Sequence, residues 1–314
     1  MTLNVFLKLV EIQTKIASLF PFLLGVLFSR TYFKSFNIAN TLLFFVAMLL
    51  FDMTTTAINN LMVYQKAKDQ TYKKEVNIIG QENISEKTVI GLVVIMLSAA
   101  SLIGLWLVVQ TTILLLFMGG ACFIVGIFYT FGPVPISRMP LGEILSGLVM
   151  GFGIFFITIY VNVESETLLD LIFQGTSFLL IGDYLAIIKI IFVSLPTVFL
   201  IANIMLANNI CDLDQDINNH RFTLPFYIGK QYAIILFNIL TYVSYVVIIL
   251  AVAFKLMHPV LLLILITLIP IKKNLYQFNQ QQIKEKTFSV AIKNISVFSG
   301  TEILLLAVSL MFNK

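Results

Sequence analysis

Apolar stretches recur along the whole chain, at about 16–31, 40–63, 88–108, 111–131, 141–162, 185–207, 229–252, 255–272 and 288–312. Each lies near the ~20 residues a helix needs to cross the hydrocarbon of a bilayer, though the first and eighth are short. Some are separated by tight polar hinges such as Gln110-Thr111-Thr112, others by true loops. The alternation of a transmembrane barrel is absent, so the pattern predicts an all-α polytopic membrane protein with about nine spans. Residues 1–314 are expected to form one membrane domain. The opening MTLNVFLKLVEIQTK lacks the pattern of a cleavable secretory signal and reads as an amphipathic lead-in to the first span.

Composition supports this class. Hydrophobic residues make up 59% of the 314-residue chain and charged residues 11%, with a mean hydropathy of +0.97. A soluble protein of that length needs a polar shell that these residues cannot supply. Cys122 and Cys211 are too few for a disulfide framework. The net charge of +4 is modest, and no nucleic-acid partner is expected.

Where the charges fall orients the chain. Lys66, Lys68, Lys73, Lys74 and Lys87 follow the second stretch, and Lys272, Lys273, Lys284, Lys286 and Lys293 follow the eighth. Arg138 follows the fourth, and Arg221 and Lys230 the sixth. Glu164, Glu166, Asp170 and Asp183 follow the fifth. The N-terminus and the even-numbered loops are therefore expected on the cytoplasmic side of the cell membrane, with Arg30, Lys34 and Lys255 as exceptions.

That assignment puts NNICDLDQDINNHR, Asn208 to Arg221, at a cytoplasmic boundary. Asn209, Asp212 and Asp216 are spaced by three and four, so a helix continuing from the sixth span carries them on one face. A divalent cation relieves their mutual repulsion. Carboxylate and amide oxygens suit a hard ion, and Mg²⁺ favours few protein ligands completed by phosphate oxygens and water. A solvated loop without chemistry is the plain alternative. A calcium loop is excluded, because its glycine and glutamate positions hold Ile217 and Thr223. His220 and His258 are too isolated for a zinc site, and no Walker loop or serine-histidine-acid set is present.

A second polar cluster ends the second stretch, where Asn59 and Asn60 are followed by Tyr64, Lys66, Lys68 and Asp69. An amide-rich helix end explains it equally well, but its depth matches that of the aspartates. The two clusters can close over one diphosphate, with Lys15, Arg138 and Arg221 as further candidate ligands of its oxygens. Lys15 has a snorkelling alternative.

These stretches together resemble the UbiA superfamily of intramembrane prenyltransferases. The resemblance is closest to its 1,4-dihydroxy-2-naphthoate polyprenyltransferases of menaquinone synthesis. It rests on TKIASLFPFLLG, TAINNLMVYQKA, YTFGPVPISRMPLGE and NNICDLDQDINNHRFTLP, and covers residues from about 10 to 230. It implies helices around a central cavity open to lipid, and Mg²⁺-dependent transfer of a polyprenyl group from its diphosphate to a bicyclic aromatic acid. Carbon dioxide is lost and demethylmenaquinol formed. Asn59 and Asn60 fall in the family's first motif, with Asn60 a metal ligand, and Asn209, Asp212 and Asp216 in its second. The first motif departs from the family at Val63, where an aspartate is usual; Asp69 is a candidate replacement, and Asp52 lies deeper than expected for one. Another aromatic acceptor, or a degenerate member, remains open. A transporter is the alternative of another class, against which the aspartates gather at one boundary and no inverted repeat is apparent.

Overall fold

A computed structural model describes residues 1–66, 77–132 and 135–312, with the side chains of Lys66 and Glu166 also outside the description. Among the described residues nine helices are long and apolar enough to cross a membrane. Spans one to nine are Ile12–Phe33, Ile38–Gln65, Glu86–Gln110, Ile113–Thr130, Gly142–Tyr160, Tyr184–Cys211, Lys230–Ala253, Pro259–Gln280 and Lys284–Ser309. The eighth extends eight residues past its expected end. It begins as a 3-10 helix, Pro259–Thr267, and becomes α-helical only at Leu268. Pro270 has no N–H for the Ile266 carbonyl, so the tighter winding ahead of it avoids an empty i→i+4 bond.

The lead-in is a helix of its own, Leu3–Leu9, capped by Thr2 and turned by Glu11 in the left-handed region. Its Leu9 and Val10 are fully buried against span two and the short helix Ile78–Gln81.

Close packing at the centre depends on glycine. Span five contains a π-helical segment, Gly147–Gly153, laid against span six. A Cβ at Gly151 would sit 2.7 Å from the Val198 Cα, and one at Gly147 would sit 2.8 Å from the Val198 carbonyl oxygen. Gly151→Ala is expected to force the two spans apart and destabilise the bundle by about 1–3 kcal/mol. Thermal melting in detergent reads this directly, and an unchanged melting temperature would show that the contact is easily relaxed.

One element was not legible in the hydropathy. Between spans five and six, Leu169–Gln174 and Ser177–Gly182 pair as an antiparallel two-stranded ribbon, with Leu171 opposite Leu180 and Phe173 opposite Phe178. Its two-residue turn places Gly175 at φ 61°.

Candidate functional site

Span six does not run on unbroken through the aspartates. Its helix stops at Cys211, Asp212 leaves helical geometry at φ −92° and ψ 3°, and a short helix resumes over Leu213–Asn218. The i→i+4 bonds nevertheless bridge the break. The Asp212 N–H donates to the Asn208 carbonyl at 3.0 Å, and the Asp216 N–H to the Asp212 carbonyl at 2.8 Å. The helical phase survives, so Asn209, Asp212 and Asp216 are only 2%, 8% and 3% exposed. Asp214 faces outward.

The short helix ends in a left-handed turn at His220, φ 54°, and the Arg221 N–H returns to the Asp216 carbonyl at 2.8 Å. This closes the helix in the usual C-terminal manner, and it is the structural use of His220. The turn aims the Arg221 side chain back, so that Nη1 lies 3.1 Å from Asp216 Oδ1 and Nη2 donates to the Ser137 carbonyl at 3.3 Å. The Phe222 N–H bonds the Arg138 carbonyl, which ties this turn to the loop after span four. Arg138 lies close enough for its charge to act on Asp216. Burial pushes the Asp216 carboxyl up to about 6, against the pull of the Arg221 guanidinium.

Two partners were not anticipated. Lys284, at the start of span nine, forms an ion pair with Asp212. Glu143, at the start of span five, accepts from Asn209 Nδ2 at 2.8 Å. That bond turns Asn209 Oδ1 away from Glu143. Asn209 Oδ1, Asp216 Oδ2 and Glu143 Oε2 are buried with no hydrogen-bond partner. Buried oxygens of this kind are costly unless a ligand completes them.

The first cluster is arranged differently from the expectation. Asn59 lines a cavity, but Asn60 directs Nδ2 to the Leu9 carbonyl at 2.9 Å and to Glu11 Oε1 at 3.3 Å. Asn60 thus joins the lead-in to span two. Tyr64 is half-buried against the apolar cluster of Leu9, Leu61 and Ile79. The side chain of Lys66, and all of Lys68 and Asp69, lie outside the described residues.

Lys15 is not a free cation. Its ammonium donates to Asp52 Oδ1 and Thr56 Oγ1, each at 2.6 Å, and to the Asp52 carbonyl at 3.2 Å. All three of its protons are engaged, so binding a phosphate oxygen means giving up one of these bonds. Asp52 also accepts from Ser18 at 2.7 Å. Asp52, deep in span two, lines the same cavity as Asn59, and with Lys15 and Thr56 it forms one polar patch of the wall.

That cavity has a volume of about 560 Å³ and is otherwise mostly apolar. The Phe51 and Phe123 rings stack on its wall with centroids 4.0 Å apart. Met205, one helical turn before Asn209, also lines it. Its size falls in the range of small-molecule sites, with a long apolar wall and few polar groups. Among the described residues no three His, Cys, Asp or Glu side chains are grouped so as to hold a metal by themselves.

The sequence model of the UbiA prenyltransferase family matches residues 18–295. The 1,4-dihydroxy-2-naphthoate octaprenyltransferase of Bacillus subtilis (strain 168) is 25% identical over 244 residues, spanning 76% of this chain and 70% of that protein. A UbiA homologue from Aeropyrum pernix K1, solved in its apo form, superposes with a TM-score of 0.67 at 16% identity, covering 93% of this chain and 98% of that one. A UbiA homologue from Archaeoglobus fulgidus, solved with DMAPP and Mg²⁺ bound, gives 0.62 at 12% identity, covering 96% and 99%.

Proposed function

The chain belongs to the UbiA prenyltransferase family of multi-pass membrane enzymes that transfer prenyl groups, and from that premise we propose a substrate pair and a site. The donor is a polyprenyl diphosphate and the acceptor 1,4-dihydroxy-2-naphthoate. The diphosphate binds with Mg²⁺ at Asn209, Asp212 and Asp216. The observation that carries the site is the pair of unpartnered buried oxygens, Asn209 Oδ1 and Asp216 Oδ2, at the end of span six, whose preceding turn lines an apolar cavity. The naphthoate relative from Bacillus subtilis supports the acceptor, and the homologue holding DMAPP and Mg²⁺ supports the donor and the ion.

Hard oxygen donors fit Mg²⁺, and the small number of carboxylates fits an ion that shares its shell with diphosphate oxygens. Bound there, Mg²⁺ would draw off negative charge as the diphosphate departs. Arg221, Lys284 and Arg138 supply positive charge around the same leaving group. The phenylalanine-lined cavity holds the prenyl chain and keeps water from the allylic cation. The carbon–oxygen bond to diphosphate breaks, and its electron pair leaves with the phosphate. The ring then attacks through its carboxylate-bearing carbon. Loss of carbon dioxide returns the electron pair of the broken carbon–carbon bond to the ring and restores aromaticity. No strong protein base is required.

A prenyl-transfer assay with membranes, polyprenyl diphosphate and a panel of aromatic acceptors tests the reading. Product formed with 1,4-dihydroxy-2-naphthoate and lost with chelator is expected. Transfer to another acceptor alone would overturn the acceptor assignment, and no transfer to any would overturn the donor as well.

Glu143 acts through Asn209 in this site. Glu143→Ala frees the Asn209 amide and is expected to weaken metal binding about 10- to 100-fold, as loss of an orienting partner usually does. Glu143→Gln keeps a carbonyl acceptor and is expected to retain most of the affinity. Mn²⁺ titration followed by electron paramagnetic resonance distinguishes the variants. Equal losses in both would make the charge of Glu143, rather than its hydrogen bond, the active property.

The lysine-rich loops support a cytoplasmic position for the site. In a chain freed of Cys122 and Cys211, an impermeant thiol reagent added outside is expected to label Ser165→Cys and to miss Gln281→Cys. The reverse pattern would invert the topology.

A further inference from the structure

The ribbon between spans five and six is apolar on both faces and covered on neither face of its second strand. Phe178 and Leu180 are 67% and 61% exposed on one face, Leu179 and Ile181 46% and 48% on the other. Phe173, opposite Phe178, is exposed as well. An isolated two-stranded ribbon is marginal in water, and a row of four large exposed apolar side chains is unfavourable there, so this one has another surrounding.

The ribbon is also fixed in place. Asp183 closes its base, with its N–H on the Leu168 carbonyl at 3.1 Å. The same Asp183 caps span six, accepting from the Leu185 and Ala186 N–H groups at 2.9 and 3.0 Å. The outward side chains of the ribbon therefore continue without a break into Tyr184, Leu185 and Ile188, which face outward at the start of span six. These are lipid-facing positions of a membrane span, with a tyrosine at the level where headgroups meet acyl chains.

We propose that this ribbon is an interfacial anchor, lying along the lipid surface at the end of the bundle opposite Asn209, Asp212 and Asp216, with its apolar side chains in the headgroup–acyl boundary. Its own chemistry sets the depth. The free edge of Ser177–Gly182 carries unpaired backbone groups, which hydrocarbon would leave unsatisfied. The tip, Gln174-Gly175-Thr176-Ser177, is polar and cannot lead the ribbon into the acyl core. The ribbon and its base carry Asp170 and Asp183 but no Lys or Arg, so the partner is the apolar and zwitterionic part of the lipid rather than anionic headgroups. A second copy of the chain is disfavoured as the cover. A stable interface engages about 20–30 residues a side, and this ribbon offers one six-residue strand.

The test uses the full chain with its one tryptophan removed, Trp106→Phe, and a new one placed on either face by Phe178→Trp or Leu179→Trp. Each protein is reconstituted in phosphatidylcholine vesicles brominated near the headgroup or at the acyl-chain end. The anchor predicts blue-shifted emission from both variants, most of it lost to shallow bromines and little to deep ones or to aqueous iodide. Emission like that of free indole in water, quenched by iodide and not by bromine, would overturn it. So would quenching by neither agent together with an Ile181→Cys disulfide between two copies, which would assign the surface to self-association. Strong quenching by deep bromines alone would overturn the interfacial depth.

Discussion

Asp212→Ala and Asp216→Ala each lose on the order of a hundred- to a thousandfold in prenyl-transfer rate, the scale on which removal of a leaving-group stabiliser registers. Both side chains are buried, each is paired with a cation, and Asp216 keeps one oxygen without a partner. Asp214→Ala keeps most of the rate, because Asp214 points away from the other two. Turnover in membranes at matched protein level, with melting temperatures for all three, checks the contrast. Equal loss at Asp214 would mean that the stretch acts through its total charge and not through one face.

Asp52→Ala is expected to cost about 3–5 kcal/mol of stability, by leaving the Lys15 ammonium buried without its counter-charge. Both side chains are shielded, at 7% and 14% exposure, so solvent screens the pair little. Removing both charges together, Lys15→Met with Asp52→Leu, is expected to recover most of that stability, because it also removes the cost of keeping two ions out of water. Thermal melting of the single and double variants forms the cycle. A double variant as unstable as Asp52→Ala would show that packing around the pair, and not its charge, is what matters.

The spans were legible because hydrocarbon demands long apolar runs, and the phase of the aspartates was legible because helical spacing is local. What escaped is what depends on distance along the chain. Asn209 meets Glu143 across 66 residues, and Asp212 meets Lys284 across 72. No spacing rule connects such pairs. Glu143 did carry a signal, as the one acidic residue within the predicted fifth stretch, and an ionisable group in a span is reason to seek a partner. Asp52 carries the same signal, but its depth in the span hides its role, because the cavity that reaches it is formed by several helices. The ribbon was hidden by its own composition: with both faces apolar it lacks the alternation that marks a strand.

The two ion pairs at the aspartates have a thermodynamic consequence. With Lys284 on Asp212 and Arg221 on Asp216, the ligand-free site is already close to charge-neutral. A metal ion arriving alone must strip each carboxylate of its cation, and a diphosphate arriving alone must strip each cation of its carboxylate. At the proposed site the two arriving together would exchange partners, anion to cations and cation to carboxylates, leaving less uncompensated charge than either arriving alone. Metal and diphosphate would then be positively coupled ligands of the proposed site, each raising the affinity of the other by the same factor, and the donor's apparent affinity would rise with the magnesium concentration.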